Sequence, residues 1–315
     1  MMLPNRFNRL QAAILLFLLA PHPVMLAHGP GPAALRAADT LHWNLDPLVL
    51  APLAVSGWLY LAGIVRLWRE ASAGSGIRKW QAACFWGGWL ALIAALVSPL
   101  DRMGDALFSA HMVQHELLML VAAPLLVLGR PLAVFVWALP LSWRRRTGFV
   151  TSLKPVSACW RFAAHPLAAW TIHALVLWAW HAPALFQASV AKPWVHILQH
   201  FSFLLAALLF WWALLHGRQR HGGDGAAIVY LLTTAIHTAV LGALLTFSSQ
   251  PWYPVYAPGT AAWGLTPLED QQQGVLIMWV PGGLSYLLAA LWLVARLLET
   301  SGKDPGKRHR PVARH

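Results

Sequence analysis

The chain has 315 residues, of which 58% are hydrophobic and only 11% charged, with 19 Trp and a mean hydropathy of +0.55. That balance excludes an ordinary soluble globule and makes lipid the main solvent. The net charge of +12 does not indicate nucleic acid, because the basic residues fall in short segments between long apolar runs and no basic patch carries interleaved aromatics.

The N-terminus has Arg6 and Arg9, an apolar run over 10–20, and a stretch ending Val24, Met25, Leu26, Ala27. These are the parts of a secretory signal, with cleavage expected after Ala27. Pro21 and Pro23 interrupt the run, and an uncleaved anchor is the alternative, so residues 1–27 are read as signal or anchor. Residues 28–47 then form a short outer segment. If cleavage leaves His28 first, its amino group and imidazole can bind Cu(II), with His42 nearby in sequence; a solvated flexible segment is the plainer reading.

Seven further runs are long enough to cross ~30 Å of hydrocarbon as helices: about 48–68, 80–100, 106–128, 166–184, 195–216, 226–247 and 271–295. The apolar stretch 132–141, between Pro131 and Pro140, is too short to cross and reads as re-entrant or interfacial. If the segment before Leu48 is outside, 18 of the 23 basic residues fall in inner segments, among them Arg144, Arg145 and Arg146. Only Arg36, Arg102 and Lys192 fall in outer ones. By the positive-inside rule this predicts an outside N-terminus and a cytoplasmic C-terminus. The expected fold is an all-α integral membrane protein: a seven-span bundle over 48–298 with a polar, basic cytoplasmic tail, 299–315, that lacks structure of its own.

The chemistry-bearing residues are histidines. His111-Met112-Val113-Gln114-His115 and His196-Ile197-Leu198-Gln199-His200 share the pattern H-x-apolar-Q-H, on two helices of the same direction. Residues four apart lie on one helix face, so each pair can offer two imidazoles to one ion. His181 ends the fourth span near the same boundary, which makes an outer layer of five. His173, two turns deeper, and His237, mid-way along the sixth span, form a second layer about 12 Å below. Intramembrane ionisable groups point to function, although a lone histidine of this kind is often satisfied across helices. His165, His216, His221, His309 and His315 fall at inner boundaries or in the tail and receive no role.

Imidazole suits Cu, Zn, Fe and Ni, and thioethers tilt the balance to copper. Met112, Met119 and Met278 are the candidates, with packing as the alternative for each. The segment from His115 through Glu116 to Met119 is not H-E-x-x-H, so a zinc protease is not supported. Cys84 and Cys159 form no C-x-x-C, so thiolate transfer is not expected. Mid-span His173 and His237 leave a haem-binding electron carrier open, and the Gln-rich start of the seventh span leaves a metal transporter open. Glu116 and Asp270 are supporting candidates. Asp270 is also read as an N-cap for the helix it opens. Bound metal requires neutral imidazole, so occupancy is expected to fall below about pH 6 to 6.5. A shared site requires three imidazole nitrogens within about 4 to 5 Å of one another.

At these residues the chain resembles the multi-span CtaG-like cytochrome c oxidase assembly factors, first linked to caa-type oxidases. The likeness is carried by H-M-V-Q-H-E-L-L through A-P-L-L-V-L-G-R-P over 111–131, W-A-W-H-A-P-A-L-F over 178–186, H-I-L-Q-H with the downstream F-W-W over 196–212, and D-Q-Q-Q-G-V-L-I-M-W over 270–279. The resemblance implies a non-enzymatic factor in a bacterial-type cell membrane. It would bind or deliver copper at the outer face to the copper-containing subunit of the oxidase, with imidazole and thioether donors replacing the cysteines of many soluble copper chaperones.

Overall fold

The computed structural model describes residues 42–217 and 223–302. The signal-or-anchor expectation, His28, His221, His309, His315 and most of the basic tail lie outside the described residues. His42 is within them and is exposed.

All regular structure among the described residues is helical. Helix α1 is Pro47–Ala71, α2 Lys79–Leu96, α3 Pro99–Ala106, and α4 Phe108–Leu128, the last widened by a π-helical stretch at Leu117–Ala122. Then come α5 (Pro131–Ala138), α6 (Leu141–Ser152), α7 (Lys154–Ala163), α8 (Pro166–His181) and α9 (Pro183–Ala191). The chain continues through α10 (Pro193–Gly217), α11 (Gly223–Thr246), the single turn α12 (Ala257–Thr260) and α13 (Pro267–Gly302).

Proline begins α1, α3, α5, α8, α9, α10 and α13. Its fixed φ suits the first helical turn, and its missing N–H costs nothing there. The same residues explain where the structure departs from uninterrupted spans. Helices α1, α4, α10, α11 and α13 are each long and apolar enough to cross a membrane alone. The expected span 80–100 instead breaks before Pro99, leaving α2 and α3 bent by 44°, and α8 meets α7 at 66° across Pro166. Counting each bent pair as one gives seven. The expected span 166–184 stops at His181 because Pro183 restarts the chain as α9. The short stretch after Arg130 is α5, packed on α1 so closely that a Cβ at Gly63 would meet the Val134 carbonyl.

Five helices form a closed ring: α4 packs on α10, α10 on α8, α8 on α11, α11 on α13, and α13 returns to α4. Helix α2 packs against the outside of α4, and α1 lies beyond it. Tyr60 of α1 stacks on Phe85 of α2 at 3.6 Å between ring centroids and donates to the Gly129 carbonyl at 2.9 Å, which joins α1 and α2 to the end of α4. Leu61, Leu175, Phe201, Ile236 and Leu284 are exposed on the spans, as required of surfaces solvated by lipid. The chain is an all-α, multi-pass membrane protein. By chain direction, one end of the bundle carries Arg66, Arg69, Arg78, Arg130 and the wholly exposed-to-half-buried helices α6 and α7 with their cluster of basic residues. The opposite end carries His111, His115, His181, His196 and His200.

Candidate metal centre

Helix α4 positions the first two imidazoles. It starts at Phe108 without a side-chain cap of its own. Asp270 of α13 supplies one: its carboxylate accepts from the Phe108 N–H (2.7 Å), the Ser109 N–H (3.1 Å) and the Ser109 hydroxyl (2.6 Å). The expectation that Asp270 caps its own helix is therefore corrected. That helix begins three residues earlier, at Pro267, and its capping box is Thr266 with Glu269. Asp270, one residue later and fully buried, caps the neighbouring helix instead, placing a carboxylate at the positive end of the α4 dipole. The approach is close because Gly274 faces Phe108 and Ser109, where a Cβ would overlap the Phe108 ring.

His111 and His115 project from α4 toward His196 and His200 of α10. Ring centroids are 4.4 Å apart for His111–His115, 4.2 Å for His196–His200, 5.2 Å for His111–His196, 5.4 Å for His111–His200 and 5.3 Å for His115–His200. One nitrogen from each of His111, His115 and His200 lies within 4.8 Å of the other two. Bonds of about 2 Å to one ion then need only small side-chain shifts. A second set, Asp101 with His196 and His200, meets the same limit and shares His200.

Several of these atoms have no partner. Both ring nitrogens of His115, and Nε2 of His181, His196 and His200, are buried without a hydrogen bond. Buried polar atoms are rarely left so, because each forgoes about 1–3 kcal/mol of interaction. His181 donates Nδ1–H to the Leu177 carbonyl at 2.7 Å, which leaves the Nε2 lone pair available; a carbonyl behind the ring is the usual way a metal-binding histidine is oriented. His181 is 6.4 Å from His115, centroid to centroid, and belongs to neither three-donor set.

The glutamines of the repeated motif are working parts that the sequence reading did not assign. Gln114, with no exposed surface, donates to Asp101 at 3.0 Å and to the Ala95 carbonyl at 2.9 Å. Gln199 faces His111 Nε2 at 3.2 Å. Asn44 holds the other oxygen of Asp101 at 2.7 Å. Asp101 was also missed as a site residue. It sits on α3, and the bend at Pro99 brings it over the ends of α4 and α10. The available signal was the glutamine of each motif, set between an apolar residue and a histidine inside an apolar span.

Phe186 and Phe203 line the imidazoles, at 5.1 Å from His111 and 4.4 Å from His115 respectively. Tyr253 donates to the His181 carbonyl at 2.8 Å and Tyr256 to the Gly104 carbonyl at 3.2 Å. Burial pushes both phenols well above the usual tyrosine range.

The other sequence candidates are placed differently. Met112, Met119 and Met278 all belong to the main apolar core. Met278, Met119 and Glu116 line a cavity beneath the histidines. His173 and His237 are 6.4 Å apart between centroids, but Phe210 lies 4.6 Å from His173 and Trp170 lies 5.5 Å from His237. Trp178 also donates to His237 Nδ1, at 3.4 Å. Aromatic side chains thus pack against both rings, while His173 Nδ1 and His237 Nε2 are buried without a hydrogen bond.

The chain is 27% identical over 278 residues to uncharacterised proteins of Mycobacterium bovis and Mycobacterium tuberculosis, covering 85% of this chain and 41% of each relative. A Mycobacterium leprae protein is also 27% identical, over 267 residues, 81% of this chain and 39% of the relative. The chain thus spans about two fifths of the length of these curated relatives. No solved structure matches it. The match that identifies it covers residues 58–300, from the middle of α1 to the end of α13. The chain belongs to the cytochrome c oxidase caa3 assembly factor family.

Proposed function

We propose that this protein assists the assembly of cytochrome c oxidase by holding copper at the histidine end of its bundle, on the outer face of the membrane, for the copper-containing subunit. The observation that carries the reading is the convergence of His111, His115 and His200, the last two with unpartnered nitrogens, inside a member of an oxidase assembly family. Copper is cargo here, and no catalytic residue is assigned. The donor set suits it: neutral imidazoles bind copper, and the Asp101–His196–His200 set adds one carboxylate suited to the harder Cu(II). The concentration of basic residues at the opposite end supports an outward-facing histidine end. His196 is the least buried of the four imidazoles, which makes the Asp101 set the natural receiving position.

The test is a copper titration of the detergent-solubilised protein at neutral pH against a chelator of known affinity, paired with copper analysis of the oxidase from cells lacking the chain. Copper binding that requires His200, and a copper-poor oxidase restored by the wild type but not by His200→Ala, is the expected result. A protein that binds no copper overturns the reading.

A further inference from the structure

Below the histidine cluster, the axis of the five-helix ring opens into a small enclosed cavity to which all five helices contribute. His115, Glu116 and Met119 reach it from α4, His181 from α8 and Met278 from α13. Four of its atoms are buried without partners: His115 Nδ1 and Nε2, His181 Nε2 and Glu116 Oε2. No Lys or Arg is among the residues lining it. The carboxylate lies beside the α13 backbone at Gly282, its oxygens 3.6 and 3.8 Å from where a Cβ would stand.

The local structure is unusual on both helices. The π-helical stretch of α4 begins directly after Glu116. Pro124 accounts for it, because its ring crowds the Leu120 carbonyl and it has no N–H to offer. The Met119 carbonyl is taken by the Trp211 indole at 2.8 Å. Pro281, inside α13, likewise leaves the Ile277 carbonyl without its helical donor. Such interruptions are tolerated at membrane depth where they border a cavity.

We propose that this cavity is a second cation position, directly beneath the His111–His115–His200 set, that takes Cu(I) through Met119, Met278, His115 and His181, with Glu116 as counter-charge. Two thioethers and two imidazoles form a soft donor set that favours Cu(I) over divalent ions. An unpaired carboxylate within a membrane bundle is costly. One monovalent ion balances it, whereas a divalent ion leaves a net positive charge in a medium of low dielectric. His115 borders both positions, so the two lie within one imidazole of each other. The inference rests on the copper reading for the identity of the ion, but not for its place.

The experiment is anaerobic Cu(I) loading of the full chain in detergent, with stoichiometry and X-ray absorption measured together. The wild type is expected to bind one equivalent more than the M119L/M278L double variant and to show sulfur scattering that the variant lacks. Circular dichroism and monodisperse elution check that the variant is folded. Glu116→Gln, which keeps the ligands but removes the charge, is expected to retain sulfur scattering and bind Cu(I) about tenfold more weakly. A wild-type spectrum with nitrogen scattering alone, or a double variant that loads like the wild type, overturns the soft site while leaving the histidine cluster standing. Absence of any copper binding overturns both.

Discussion

The protein carries two layers of intramembrane histidine that use the same side chain to different ends. In the outer layer, imidazoles from α4 and α10 face one another, and nitrogens lie buried without partners. In the deeper layer, His173 and His237 face each other across 6.4 Å, but Phe210, Trp170 and Trp178 pack on or bond to their rings. Residue type, burial in a bundle, aromatic neighbours and unpartnered ring nitrogens are common to both layers, since His173 Nδ1 and His237 Nε2 also lack partners and Phe186 and Phe203 pack on His111 and His115. What separates them is convergence: in the outer layer three donors lie within 4.8 Å of one another, with glutamine and backbone carbonyls behind them, whereas the deeper layer offers only a pair.

The sharpest way to break that comparison is His200→Ala, since His200 belongs to both three-donor sets. Copper affinity is expected to fall by at least about a hundredfold, measured by chelator competition, because neither set retains three ligands. Near-wild-type affinity would show that convergence is structural and that copper, if bound, sits elsewhere.

Next in size is Asp270→Ala, which tests how the outer layer is built. Three donors at the start of α4 would lose a charged acceptor in a buried site, at a cost of about 2 to 4 kcal/mol. A clear fall in thermal midpoint in detergent is expected, with Asp270→Asn in between. An unchanged midpoint would mean that α4 is held by packing alone.

This residue also shows what was legible in the sequence. Hydropathy located the apolar helices, five able to cross alone and two more as bent pairs, because the cost of placing polar backbone in lipid is written into composition. Helical spacing then sorted the histidines by depth, since 1.5 Å per residue fixes height along a helix. Neither reports which helices are neighbours. Asp270 could be read only as a cap for its own helix, because its true partners, Phe108 and Ser109, are 162 and 161 residues distant in sequence and become adjacent only when α13 closes the ring on α4. Asp101 was invisible as a ligand for the same reason: a 44° bend, and not a sequence spacing, carries it over His196 and His200. The π-helical stretch after Glu116 was equally hidden, although Pro124 stood in view as its cause.

Asp101→Asn probes the receiving set with less force. The amide keeps an acceptor for Asn44 or Gln114 but removes the charge, so fold and the His111–His115–His200 set are expected to survive. Cu(II) affinity should fall about tenfold, with a smaller effect on Cu(I), for which carboxylate is a poor ligand. Equal losses for the two oxidation states would assign Asp101 the role of a strut between Asn44 and Gln114.

The smallest effect is expected from His237→Ala, in the deeper layer. The variant loses a 3.4 Å bond from Trp178 and an edge contact with Trp170; the hydrogen bond is long, the ring only half-buried, and interhelical bonds of this kind in membranes average about 0.6 kcal/mol. The thermal midpoint should therefore shift only slightly, and copper affinity should stay within about twofold of wild type. A tenfold loss would place His237 on the ion's path and remove the distinction between the layers: aromatic packing would then be the wall of a route through the bundle, and the cavity at Glu116 its middle instead of its floor.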